Sequence, residues 1–97
     1  MNDKKVYIVR CNKIIANVFD TKEKAFNSLP KKNDFTEVSQ SVRTYDGEEA
    51  FIPTVDNFYL DTPIYVHVAE HTEEVMGLPI YYPKESFVYE IKEFNVK

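Results

Sequence analysis

Apolar side chains recur at every second position in four stretches of the chain, and at helical spacing in only one. In KKVYIVRC, Val6, Ile8 and Arg10 alternate with Tyr7, Val9 and Cys11, and β-branched and aromatic residues dominate, which predicts a strand. KIIANVF repeats the pattern, with Ile14, Ala16 and Val18 opposite Ile15, Asn17 and Phe19. A short turn at Asn12 makes the two a hairpin. Both faces of this hairpin carry apolar residues, so one can be covered by the segment that follows while the other needs later strands, a packed loop or a second subunit. Ile15 and Phe19 decide between these: exposure in a monomer favours a dimer, burial within one chain argues against it. In DTKEKAFNSLP the period changes. Asp20 and Glu23 have the spacing of a capping box, Ala25, Phe26 and Leu29 share a helical face, and Pro30 marks the stop. One short helix is expected over 21–29, held by packing Phe26 and Leu29 onto the sheet.

The second half reads less evenly. Residues 31–34 form a polar connector. EVSQSVRTY places Val38, Gln40, Val42 and Thr44 on one side and reads as an exposed strand. Asp46-Gly47 is a hairpin turn signal, because glycine tolerates the positive φ such turns demand, and EEAFIP is the return strand, ending at Pro53. VDNFYL is a short strand or an ordered loop, broken at Asp61-Thr62-Pro63. IYVHV predicts a strand. Thr72, followed by Glu73, Glu74 and Gly77, has the capping chemistry of a single helical turn near 72–76. The two prolines of LPIYYPKE keep it from being a central strand. SFVYEIKEFNV alternates again and closes the sheet. The sum is one α+β domain over 1–97, with an antiparallel sheet of about four to six strands packed by one short helix.

Charge changes this picture more than composition does. The net charge of −4 hides an asymmetry: residues 1–32 hold eight Lys and Arg against three acids, whereas residues 33–74 hold Arg43 alone against ten acids. Such a middle segment disfavours nucleic acid as its direct ligand and favours a partner with a basic surface. No apolar stretch approaches a membrane span, MNDKK has no apolar signal region, and Cys11 stands alone, so a cytoplasmic protein without disulfides is expected, with no membrane partner.

Candidate chemistry is sparse. His67-Val68-Ala69-Glu70-His71 fits a zinc-hydrolase pattern. The pattern needs both histidines on one helical face, yet Ile64, Val66 and Val68 alternate with Tyr65 and His67 as in a strand. Four residues of strand would set the histidines about 13 Å apart, too far to share a metal bound at about 2 Å per ligand. With two glycines in the chain there is no phosphate-cradling loop, and no Ser or Cys stands in a nucleophile motif. The adjacent acids Glu48/Glu49 and Glu73/Glu74 read as solvated, and no calcium-loop spacing occurs. A protein without cofactor, metal or catalytic residues is the expectation.

The aromatics point elsewhere. Seven Tyr and seven Phe exceed what one helix and a small sheet need, and Tyr45, Phe51, Phe58, Tyr59, Tyr81 and Tyr82 fall in or beside loops and hairpin ends. Tyrosine and phenylalanine among acids suit a protein-binding surface, since they bury much area at low entropic cost. The contacts expected are Asp46, Glu48, Glu49, Asp56, Tyr59 and Asp61, with Glu70, Glu73 and Glu74 as a second acidic group. In KVYIVRCNKIIANVFDTKEKAFNSL and the closing VYEIKEF, the chain resembles small uncharacterised α+β proteins of low-GC Gram-positive bacteria and their phages. Lys outnumbering Arg ten to two, as in AT-rich genes, fits such a source. The resemblance implies a small α+β fold and no catalytic residues. The function expected is a non-enzymatic inhibitor of phage or mobile-element origin that engages a basic surface of a host protein, such as a nucleic-acid enzyme. The rival is a homo-oligomeric assembly protein, a homodimer in its simplest form, that uses the second apolar face of the first hairpin.

Overall fold

The computed structural model describes residues 4–30 and 34–96. The first three residues of the connector expected over 31–34, and the first three of the N-terminal MNDKK, lie outside these. The described residues form β1 (Lys4–Cys11), β2 (Ile14–Phe19), α1 (Lys22–Asn27), β3 (Thr36–Thr44), β4 (Gly47–Phe51), β5 (Ile64–Val68), β6 (His71–Val75), β7 (Leu78–Tyr82) and β8 (Glu85–Val96). Six strands make one antiparallel sheet in the order β2-β1-β8-β5-β3-β4, and β6 and β7 pair only with each other. With one six-residue helix against eight strands, the described residues are mostly β, and the expected α+β label fits them only loosely.

The turns of the β1–β2 and β3–β4 hairpins explain themselves locally. Asn12 and Lys13 have φ of 51° and 71°, the pair of left-handed residues that a two-residue hairpin turn needs to match strand twist. Asn12 also extends the sheet: its N–H donates to Val88 O at 2.8 Å and its Oδ1 accepts from Val88 N at 3.0 Å. At the β3–β4 turn the positive φ falls on Gly47, as the Asp46-Gly47 signal requires. The helix cap sits one residue later than expected. Thr21, extended at φ −133°, accepts from Lys24 N through Oγ1 at 3.1 Å, while Asp20 instead pairs with Lys24 Nζ at 3.0 Å, which holds its carboxyl below the usual range.

The core lies on one face of the sheet. Val9, Ile64 and Ile91 from the strands meet Ala25 and Leu29 from the helix segment and Phe58 from the 52–63 connection. VDNFYL is therefore an ordered loop. Its turn is pinned by Asn57 Oδ1, which accepts from the backbone N–H and the hydroxyl of Thr54, and it drops Phe58 into a stack on Phe26 with centroids 4.9 Å apart.

Three expectations need correction. Residues 72–76 are not helical: Met76 and Gly77, at φ 52° and 81°, form a two-residue hairpin turn between β6 and β7, and the Thr-Glu-Glu sequence lies in a strand. β3 is not an exposed strand. Thr36 and Gln40 are buried, because the face that carries Val38 and Val66 is the core face. Ile15 and Phe19 do not share a face. The β1–β2 register slips between Val9, opposite Asn17, and Arg10, opposite Ile15, leaving Ala16 as an extra bulged residue. Phe19 consequently packs on the core, whereas Ile15, 62 % exposed, joins Ile8 and Val18 on the opposite, open face.

Candidate protein-binding surface

Two features bring the acids and aromatics of the middle segment into view, and they lie at opposite ends of the body. The first is the β3–β4 tip together with the 52–63 loop. Thr36 pairs with Val68 at one end of β3, and Thr44 pairs with Gly47 about 26 Å further along, so the tip points away from the end where the chain leaves for β6. Tyr45 is fully exposed at this tip beside Asp46. Glu49 and Tyr59, with Val42, Phe51 and Asn57, line a shallow depression of about 260 Å³, and Phe51 meets the edge of Tyr59 at 5.6 Å. Glu48 takes the opposite face of β4, where it pairs loosely with Arg43 at 3.8 Å. Because β5 begins at Ile64 opposite Gln40, residues 41–44 of β3 overhang it and leave an open notch of about 800 Å³. Arg43, Glu48, Tyr59, Pro63 and Tyr65 line this notch. Asp56 and Asp61 are exposed on the loop, and Asp61, at φ 61°, donates its N–H to Ile91 O at 2.9 Å.

A buried glutamine sets the position of that loop. Gln40 has no exposed surface; its Nε2 donates to Tyr59 O at 2.8 Å and to Thr62 O at 3.1 Å, and its Oε1 accepts from Tyr59 N at 2.9 Å. The amide thus satisfies three backbone groups of an irregular segment that no ladder could pair. Gln40 read as a surface residue because a polar side chain at an alternating position ordinarily is one. The turn residues Asp61-Thr62-Pro63 opposite it were the available signal.

The second feature is the β6–β7 arm, which carries Glu70 at its base and Glu73 and Glu74 along β6. The base is an aromatic sandwich: His71 stacks between Phe35, at 4.2 Å, and Tyr82, at 5.1 Å. His71 Nδ1 donates to Ala69 O at 2.8 Å, and Nε2 faces Glu73 at 3.5 Å. Tyr81 donates its hydroxyl to Glu70 at 2.7 Å, and that bond to a carboxylate, followed by partial burial, pushes the phenol pKa above its ordinary value. The zinc-like pattern is thereby dispersed. His67 lies on β5 with Nδ1 2.9 Å from Ser86 Oγ, His71 is locked in the sandwich, and Glu70 holds Tyr81. Among the described residues no three His, Cys, Asp or Glu side chains come together as metal ligands, and no helix is long and apolar enough to cross a membrane.

No family model, curated protein or solved structure matches the chain. The functional reading therefore rests on the surfaces themselves. The structure brings Tyr59 together with Glu49 in one depression and with Glu48 in the notch, while Asp46 lies at the β3–β4 tip and Asp56 and Asp61 lie elsewhere along the 52–63 loop, Asp61 beside Ile91. Glu70, Glu73 and Glu74, which follow them in sequence beyond β5, belong to a separate projection.

Proposed function

We propose that this chain is a non-enzymatic protein-binding module, of phage or mobile-element origin, that occupies a basic surface of a host protein such as the binding groove of a nucleic-acid enzyme. The observation that carries the reading is the composition of the β3–β4 tip and the loop beside it. Tyr45 stands exposed beside Asp46, and Tyr59 shares a depression with Glu49 and a notch with Glu48. Asp56 and Asp61 are exposed on the same loop as Tyr59, and Arg43, the one cation in that stretch, is already paired with Glu48. Aromatic rings supply contact area, and the carboxylates steer and orient a positively charged partner. The backbone clamp at Gln40 holds the loop in one conformation, which lowers the ordering cost of binding. Glu70, Glu73 and Glu74 on the arm form a second acidic surface.

The test is affinity purification of the tagged chain from a low-GC Gram-positive lysate at low and high salt, beside two variants. Charge reversal at Glu49, Asp56 and Asp61, and Tyr59→Ala, should each release a stoichiometric partner that the native chain retains at low salt and loses at high salt. Retention of that partner by both variants would remove this surface from the function.

A further inference from the structure

The sheet face opposite the helix carries its own apolar groove. By register, Ile8, Ile15, Val18, Val88, Phe94 and Val96 all fall on this face, and Ile15, Val18, Phe94 and Val96 are largely exposed. Ile8, Ile15 and Phe94 floor a groove of about 320 Å³ whose rim is Arg10, Lys13 and Lys92. Arg10 donates to Lys13 O at 3.1 Å, and none of these three cations is in an ion pair among the described residues. Glu90, across from Arg10 in the ladder, is the acid nearest to them in register.

The arm has the complementary chemistry. Val75 opposite Leu78, Ile80 and then Tyr82 lie on one face of the β6–β7 ribbon, and Met76 stands at its tip. Met76 is 97 % exposed and Leu78 65 %. Glu73, opposite Ile80, shares this face, whereas Glu74 alternates onto the other face of the ribbon and Glu70, at the base, accepts from Tyr81. From Arg43 to Lys84 the sequence contains no intervening Lys or Arg. An apolar row that carries Glu73, on an arm without Lys or Arg, matches an apolar floor edged with cations.

We propose that the β6–β7 arm of one copy seats in the basic-rimmed groove of a second copy. The arm cannot serve its own groove. Its strands are about 17 Å long, whereas Lys92 and Phe94 lie about 23–30 Å along β8 from the arm's base. β8 alone spans about 40 Å, and β6 and β7 pair only with each other, so the arm stands off the six-stranded sheet. A second copy also meets the area requirement better than a single docking event. Each copy offers one arm and one groove, so a two-fold arrangement buries two arms, toward the roughly 800 Å² per partner of a stable interface. This inference shares the arm's carboxylates with the host-binding reading but not the β3–β4 tip, so the Glu49, Asp56, Asp61 and Tyr59 variants, which leave the arm intact, distinguish failure of one from failure of the other.

The experiment is sedimentation velocity on the full chain, from low micromolar to near millimolar concentration, with circular dichroism as a check of folding. The native chain should form a reversible dimer. Leu78→Asp and Ile15→Asp, both at exposed positions, should each weaken it at least tenfold, about 1.4 kcal/mol. Glu73→Lys with Glu74→Lys on one chain, and Lys13→Glu with Lys92→Glu on another, should each make a monomer. Mixing those two chains should restore a dimer, because both arm–groove pairs then carry opposite charges. A native chain that stays monomeric throughout would overturn the proposal. So would a dimer indifferent to the substitutions, or a mixture that fails to associate.

Discussion

Gln40 and Tyr89 are the residues whose environments make the sharpest demands. Truncating Gln40 to Ala strands the N–H of Tyr59 and the carbonyls of Tyr59 and Thr62. Each buried group left unsatisfied costs about 1–3 kcal/mol, so Gln40→Ala should lower the urea midpoint by an amount corresponding to at least about 2 kcal/mol. Gln40→Glu should also be severe at neutral pH, because a carboxylate would face two carbonyl oxygens, and partial recovery is expected when acid restores a donor. Equal stability of Gln40→Ala and the native chain would mean the loop is held by Phe58 alone. Tyr89 packs against the core, and burial first, then the neighbouring Cys11 thiol, pushes its phenol up to about 12. An unfolded tyrosine ionises near pH 10. The stabilisation is therefore fully present below about pH 10 and is lost as pH rises through about 12, because the native state keeps a proton the unfolded chain has released. Beside the upward-shifted phenols of Tyr7 and Tyr81, tyrosinate absorbance should reveal a phenol ionising near pH 12 that Tyr89→Phe removes, together with a shallower alkaline loss of stability in that variant.

At the scale of elements, the arm and the turns carry the testable content. His71→Ala removes the ring that stacks on both Phe35 and Tyr82 at the arm's base, each pair worth about 0.5–1.5 kcal/mol. Backbone amides of 71–82 should then exchange hydrogen several-fold faster while those of β1 and β8 keep their protection. Lys13 holds φ 71° with a side chain that disfavours it, so Lys13→Gly should raise stability by about 0.5–1 kcal/mol in thermal unfolding. β1, β2, β5 and β8 were legible because alternation and β-branched residues agree there. The arm was not, since Thr72-Glu73-Glu74 satisfies a helix N-terminus as well as a strand. Only the pairing of 71–75 with 78–82 across Met76-Gly77 resolves it, and pairing is not a local property. The bulge at Ala16 is likewise silent in sequence, yet it moves Ile15 to the other face.

For the whole molecule, the sequence displayed the acids and aromatics but not their division between a tip and an arm, because that division depends on β5 returning to pair with β3. Reciprocal arm exchange should make the thermal midpoint climb with protein concentration and fall as salt is added, which calorimetry on a dilution series would measure. A midpoint independent of concentration would argue for a monomer. Gln40 has one further implication. It grips Tyr59 and Thr62 through main-chain atoms alone, so the anchorage is blind to which side chains the loop displays. Side chains such as that of Tyr59 can be exchanged while the attachment persists, which makes this loop a natural place for diversification under selection and a ready scaffold for grafting foreign recognition sequences.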